Sequence, residues 1–275
     1  MERQETINFV RSYSLGEEYE SIKDHAKERE FLEKCLKKDS DYSDVIAFDD
    51  ADRSVRFTTE RLIPTRSTDR PHVMLLFSNP HPDSIKQGMF LSASAKGQES
   101  TFWPTMRDAG WFELPEPKPG PEVLREFFLH VKYHSPFELS FYCYYAFPTR
   151  YPDHIRKIFG EVFFNKIETE AKAEFKKTVQ QTGVEAIVTF NKGIFNNVAR
   201  EKISKYIARL KNGEIVRGHV GDMDRDIPIF LTYPTGWRYH SQYKYLRTSN
   251  LEKIREAIRK DLNLPGKCGL RDGHK

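Results

Sequence analysis

The residue with the clearest chemical promise is Asn79. It lies in the turn Ser78-Asn79-Pro80-His81-Pro82-Asp83, which closes the apolar run Val73 to Phe77. A carboxamide takes up no proton at neutral pH, so Asn79 suits the orienting of a water or ligand rather than general-base work. An Asx turn is the structural alternative for the same side chain. Two further apolar runs end in turns of similar make, Phe147-Pro148-Thr149-Arg150-Tyr151-Pro152 and Tyr233-Pro234-Thr235-Gly236. Proline fixes φ, so such turns hold their neighbours in place at little entropic cost. They offer the Asn79 amide, the Thr149 and Thr235 hydroxyls and backbone N–H groups. Asp83 fits either a helix cap or a part in water activation. His81 fits a phosphate contact or a local cap.

After the third turn the composition changes. Trp237, Arg238, Tyr239, His240 and Lys244 interleave aromatic with basic side chains, and Arg247 adds positive charge nearby. Such a segment meets phosphates with its cations while its aromatics stack on or wedge between bases. The alternative is an aromatic-rich loop packed on the domain surface.

Several chemistries are excluded. No GxGxxG or Walker loop opens a helix, and no G-x-S-x-G elbow is present. The nine histidines form no spaced ligand cluster, and Cys35, Cys143 and Cys268 are too few and scattered for a disulfide framework or a cysteine metal site. No cofactor and no metal are expected.

The turns need elements to hold them. Val73–Phe77, Phe141–Tyr145, Ala186–Phe190 and Ile229–Thr232 read as buried strands. Helices are expected within 101–114, from Glu122 to Val131, through the stripe Ile155, Ile158, Phe159, Val162, Phe163, Ile167, Ala171, Phe175 and Val179, from Phe195 to Leu210, and from Leu251 to Leu262. Alternation of strand and helix predicts an α/β fold, a three-layer sandwich with a central, mainly parallel sheet. The carboxyl ends of its strands then share one edge, where open α/β sheets bind ligands. Residues 1–69 read as an amino-terminal extension, with an amphipathic helix over 15–38 and β-like runs at Val45–Phe48 and Val55–Thr59; residues 70–275 form the main domain.

A chain of 275 residues buries a full-sized core. Its 44 basic against 40 acidic side chains give a net charge of +4, which permits a nucleic-acid partner without demanding one. No apolar signal segment opens the chain and no apolar run reaches 18 residues, so no membrane association and a cytoplasmic location are expected.

In four ordered segments the chain resembles the uracil-DNA glycosylase superfamily, most closely its mismatch-specific uracil/thymine branch. VMLLFSNPHP at 73–82 is similar to that branch's first motif, an apolar strand followed by Gly-Ile-Asn-Pro-Gly. TFWPTMRDAGW at 101–111 resembles its Arg-Phe-Trp segment, AIVTFNKGIFNNV at 186–198 its late strand and helix, and IFLTYPTGWR at 229–238 stands where its His-Pro-Ser or Asn-Pro-Ser-Gly motif falls. The first 65 residues lie outside the resemblance. It implies a monofunctional DNA glycosylase, a hydrolase of the N-glycosidic bond of uracil or a related mismatched or damaged base; the alternative is a non-catalytic nucleic-acid or modified-nucleotide binder on the same fold.

By the resemblance, Asn79 positions the attacking water and Tyr233 and Thr235 belong to the catalytic second motif. Phe90 stacks on the flipped base, with Ser78 and Gly236 beside it, and DNA is the partner. Phe102 and Trp103 read as core. This sequence departs from the family at Ser78 and His81, where Gly is usual, and at Tyr233 and Thr235, which replace His or Asn and Ser. The strand ending at Phe147 carries no Asn for reading a pyrimidine edge.

Overall fold

The computed structural model describes residues 7–27, 43–65, 67–92, 100–116, 119–235 and 241–265, with backbone alone at 25–27 and 241–243. At its centre are four parallel strands whose side chains are buried on both faces. They are β4 (His72–Phe77), β5 (Glu138–Cys143), β6 (Ala186–Thr189) and β8 (Pro228–Leu231). Continuous apolar runs such as Val73–Phe77 have no polar face to turn to water, so helices must cover both sides. β4 pairs with β5 on one side (Phe77 opposite Cys143) and with β6 on the other (Leu76 opposite Thr189), and β6 pairs with β8. The expected α/β class and mainly parallel sheet flanked by helices are therefore present.

Antiparallel strands extend the sheet at both ends. β7 (Val216–His219) pairs with β8, while β1 (Asn8–Ser14), β2 (Ile46–Asp49) and β3 (Ser54–Leu62) add on beyond β5. Only Arg61 and Leu62 of β3 pair with β5, opposite Tyr142 and Phe141. The amino-terminal region thus shares the main sheet and its core, where Tyr13, Leu15, Tyr19, Ile22, Val55 and Phe57 join one hydrophobic layer.

Alternation along each strand divides the core. Met74 and Leu76 face a layer that includes α1 (Tyr19–Lys27) and α5 (Asp153–Thr182), together with α6 (Lys192–Val198) and α7 (Tyr206–Lys211). Val73, Leu75 and Phe77 face the opposite layer, made by α3 (Phe102–Asp108), α4 (Pro121–Leu129) and α8 (Ser241–Asp261). The short α2 (Pro82–Gln87) follows β4 and places Ile85 against Val45.

Four expectations need correction. The helix expected over 15–38 runs in the described residues from Tyr19 to Lys27, after a 3-10 turn, and 28–42 lie outside them. The helix expected from Phe195 to Leu210 is two, α6 and α7. Asn196 clamps the link between them, accepting from the Ile203 N–H at 2.8 Å and donating to its carbonyl at 3.1 Å. Val162 does not join the buried stripe of α5: Gly160, at φ 72° and ψ 170°, breaks the helix and shifts its phase, leaving Val162 68% exposed. The last helix starts ten residues earlier than Leu251, at Ser241, so Lys244 is helical.

Candidate functional site

The spatial order β5-β4-β6-β8 means that the chain leaves β4 in one direction and returns past it to β6 in the other. That reversal is a topological switch point, and the crevice beyond the carboxyl ends of β4 and β6 is where such sheets place ligands. Asn79 stands there, two residues past β4. The parallel ladder carries on beyond the strands: the Tyr144 N–H donates to Phe77 O at 2.9 Å, and the Tyr145 N–H to Ser78 O at 2.7 Å.

Asn79 is held by its donor side. Nδ2 donates to the Thr149 carbonyl at 2.6 Å, to Thr149 Oγ1 at 3.1 Å and to Pro80 O at 3.1 Å. Thr149 is itself buried, its hydroxyl donating to Tyr151 O at 2.8 Å and its N–H to Pro80 O at 3.2 Å. This fixes the amide orientation and leaves Oδ1 as the acceptor, which takes the Ser78 hydroxyl at 3.1 Å. The first and second turns are therefore joined directly. Behind them the Tyr145 hydroxyl and Asn197 Nδ2 both donate to Glu168 Oε1, at 2.9 and 2.8 Å, locking the β5 end to α5 and α6. Burial, and then the adjacent Glu168 carboxylate, push the Tyr145 hydroxyl far above its ordinary pKa, so it stays protonated and donates to Glu168 while accepting from Asn197 Nδ2 at 3.3 Å.

His81 caps α2: its Nδ1 accepts from the Asp83 N–H at 3.2 Å, which leaves the neutral ring's proton on Nε2. The cap is His81 and not Asp83, which occupies the first helical turn behind Pro82.

Phe90 is 2% exposed, its ring 5.7 Å from Phe77 and 5.6 Å from Phe141 in the aromatic core. Phe102 and Trp103 lie in the same layer. Tyr233 is 1% exposed and packs in the opposite layer, with side chains of α5 and α6. Its neighbour Thr232 is tied to β6 by an N–H donated to Thr189 O at 3.0 Å, and to α8 by a hydroxyl donated to Asn250 Oδ1 at 2.7 Å. Thr235 is half-buried in the turn that follows. Gly236, Trp237, Arg238, Tyr239 and His240 lie outside the described residues. Lys244 is exposed on α8 and pairs with Asp108 of α3 at 2.9 Å.

Sequence reasoning gave little weight to two features near this edge. Tyr151 is 51% exposed, with the Arg150 guanidinium 5.4 Å from its ring centre. On α8, Arg247 and Asn250 occupy the same buried stripe as Leu251, Ile254 and Ile258. The spacing shows that polar pair in an apolar stripe once the helix is begun at Ser241.

Among the described residues no group of three His, Cys, Asp or Glu is arranged to hold a metal ion, and no helix is long and apolar enough to cross a membrane. A cavity of about 20 Å³ opens beside the short β3–β5 pairing, lined by Glu60, Cys143, Arg11 and Arg61 among others. Another, of about 200 Å³, lies between Ser12–Ser14 and α5. Neither is lined by Asn79.

Compared with protein-family models and with curated proteins, the chain matches none.

Proposed function

We propose that the chain is a DNA glycosylase that hydrolyses the N-glycosidic bond of uracil or a related mismatched or damaged base, on a uracil-DNA glycosylase-like fold. The observation that carries this reading is the Asn79 amide at the switch point, oriented by Thr149 and Pro80 so that its oxygen is the acceptor. Oδ1 would accept a hydrogen bond from one water and aim its oxygen at the sugar C1′. As the C1′–O bond forms, the C1′–N bond breaks and its electron pair leaves with the base; the water's proton passes to solvent. No strong base is needed because the base leaves as a stabilised anion. The ordered resemblance of four segments supports the same reading.

A second reading, binding of nucleic acid or a modified nucleotide without cleavage, is favoured by Phe90. Its enclosure between Phe77 and Phe141 removes that ring as a stacking platform. Abasic-site formation on single- and double-stranded oligonucleotides, with uracil or damaged pyrimidines opposite guanine, separates the two. Release of a free base, faster from mismatched than from paired duplex, is the expected result, because a mismatched base costs less to extrude. Binding without release from any lesion would leave the second reading.

A further inference from the structure

We infer that Arg247 and Asn250 form a binding site for a phosphate group at the carboxyl edge of β8. The two residues stand three apart on α8, so their side chains are neighbours on one helix face. That face is buried, with Arg247 5% and Asn250 3% exposed. The amide of Asn250 is fixed by the Thr232 hydroxyl, which donates to Oδ1 at 2.7 Å. Its Nδ2 is buried with no acceptor among the described residues.

Arg247 has no carboxylate partner among the described residues. Other half-buried arginines do have partners: Arg11 and Arg61 pair with Glu174, and Arg255 donates to the carbonyls of Ala109 and Gly110. Burial also pulls the Arg247 pKa down. A guanidinium does not shed its proton in a protein, so the cost of burying it is offset only by an anion or by strong acceptors. The planar fork of an arginine beside a fixed amide N–H matches the oxygens of a phosphate.

The location suits a nucleotide chain. Neighbouring strands lie about 4.8 Å apart, so the two steps from β8 to β4 cover about 10 Å. A phosphate held beside Thr232 would leave the attached sugar and base to extend over β6 toward Asn79. The identity of the phosphate's carrier rests on the DNA reading above; the anion site rests on Arg247 and Asn250 alone.

The test is thermal unfolding of the full chain with inorganic phosphate, against chloride at equal ionic strength. Wild type is expected to rise by about 2–3 °C at tenfold the dissociation constant. Arg247→Met is expected to melt higher than wild type without phosphate, since it removes a buried charge with no carboxylate partner among the described residues, and to show no phosphate-dependent rise. No rise in wild type, or an equal rise in Arg247→Met, overturns the site. Should Arg247→Met fail to fold, Asn250→Asp carries the test. It supplies a carboxylate beside the guanidinium and is expected to abolish the rise, and a persisting rise would again overturn the site. A parallel titration with a short single-stranded oligonucleotide tells the carriers apart. Affinity lowered about tenfold or more in Arg247→Met assigns the phosphate to a nucleic-acid backbone; unchanged affinity beside a lost phosphate rise assigns it to a small phosphate compound. Base release is scored separately, so its absence counts against the glycosylase reading and leaves the anion site standing.

Discussion

Asn79 and Thr149, seventy residues apart, are bound to each other through both the carbonyl and the hydroxyl of Thr149. One side chain thereby sets the spacing of two strand-end turns and the direction of its own oxygen. On the glycosylase reading, Asn79→Ala should reduce base release by ~10²-fold, the scale of losing one positioned group. It should also destabilise the fold by ~1–3 kcal/mol, because the buried Thr149 carbonyl loses its side-chain donor. Single-turnover release and urea unfolding measure the two effects; an Asn79→Ala protein as active as wild type would remove the water assignment.

Phe90→Ala should cost ~3–5 kcal/mol of stability, the penalty for emptying an aromatic position in a close-packed core. Base binding by the remaining folded protein should be little changed. The opposite outcome in denaturant titration, intact stability with weakened base binding, would place the ring against the ligand.

Glu60 is 3% exposed, its Oε2 buried without a hydrogen-bond partner among the described residues, and burial pushes its pKa well above the ordinary carboxylate value. Below about pH 4.3 both folded and unfolded forms hold the proton, and the stability linked to it is fully present. As pH rises toward the folded pKa, only the folded form keeps the proton, so stability falls by up to ~1.4 kcal/mol per pH unit. The loss is complete once the folded group ionises. Glu60→Gln should therefore be more stable than wild type at neutral pH, with the difference shrinking toward pH 4. Parallel stability curves for the two proteins would contradict the assignment.

Lys244 is engaged by Asp108 at 2.9 Å. In the DNA reading this ion pair competes with phosphate, so Lys244→Ala should lower the salt slope of binding by less than one. Asp108→Asn should tighten binding several-fold and steepen the slope. Affinity and slope unchanged in both variants would take Lys244 out of the interface.

The central sheet was legible because its strands are largely apolar runs, two of them closed by proline turns. Val73–Phe77 lies in β4, and most of Ala186–Phe190 and Ile229–Thr232 lies in β6 and β8. The run expected at Phe141–Tyr145 starts three residues late, since β5 begins at Glu138 and ends at Cys143. β1 and β7 were not, since edge strands such as Asn8–Ser14 mix Arg, Ser and Tyr and have no continuous apolar face. Asn79 and Thr149 were legible as polar groups on turns, but nothing in their spacing shows that they bind each other. Phe90 and Tyr233 illustrate the limit on the site. An aromatic near a polar turn looks the same in sequence whether it faces a cleft or the core, and which it does depends on strands contributed from elsewhere in the chain. Arg247 was hidden for a local reason, the early start of α8.

The narrow seam between β3 and β5 bears on how the molecule is assembled. Two residue pairs connect the amino-terminal strands to the parallel sheet, whereas β1 and β3 pair over seven. Amide hydrogens of β1–β3 should therefore exchange as one cooperative group, through an opening that leaves β4, β5, β6 and β8 protected. Such an opening would bare the flank of β5, a ready template for strands of other chains. β1, β2 and β3 thus act as a guard on the sheet's edge, held by side-chain packing more than by the ladder to β5.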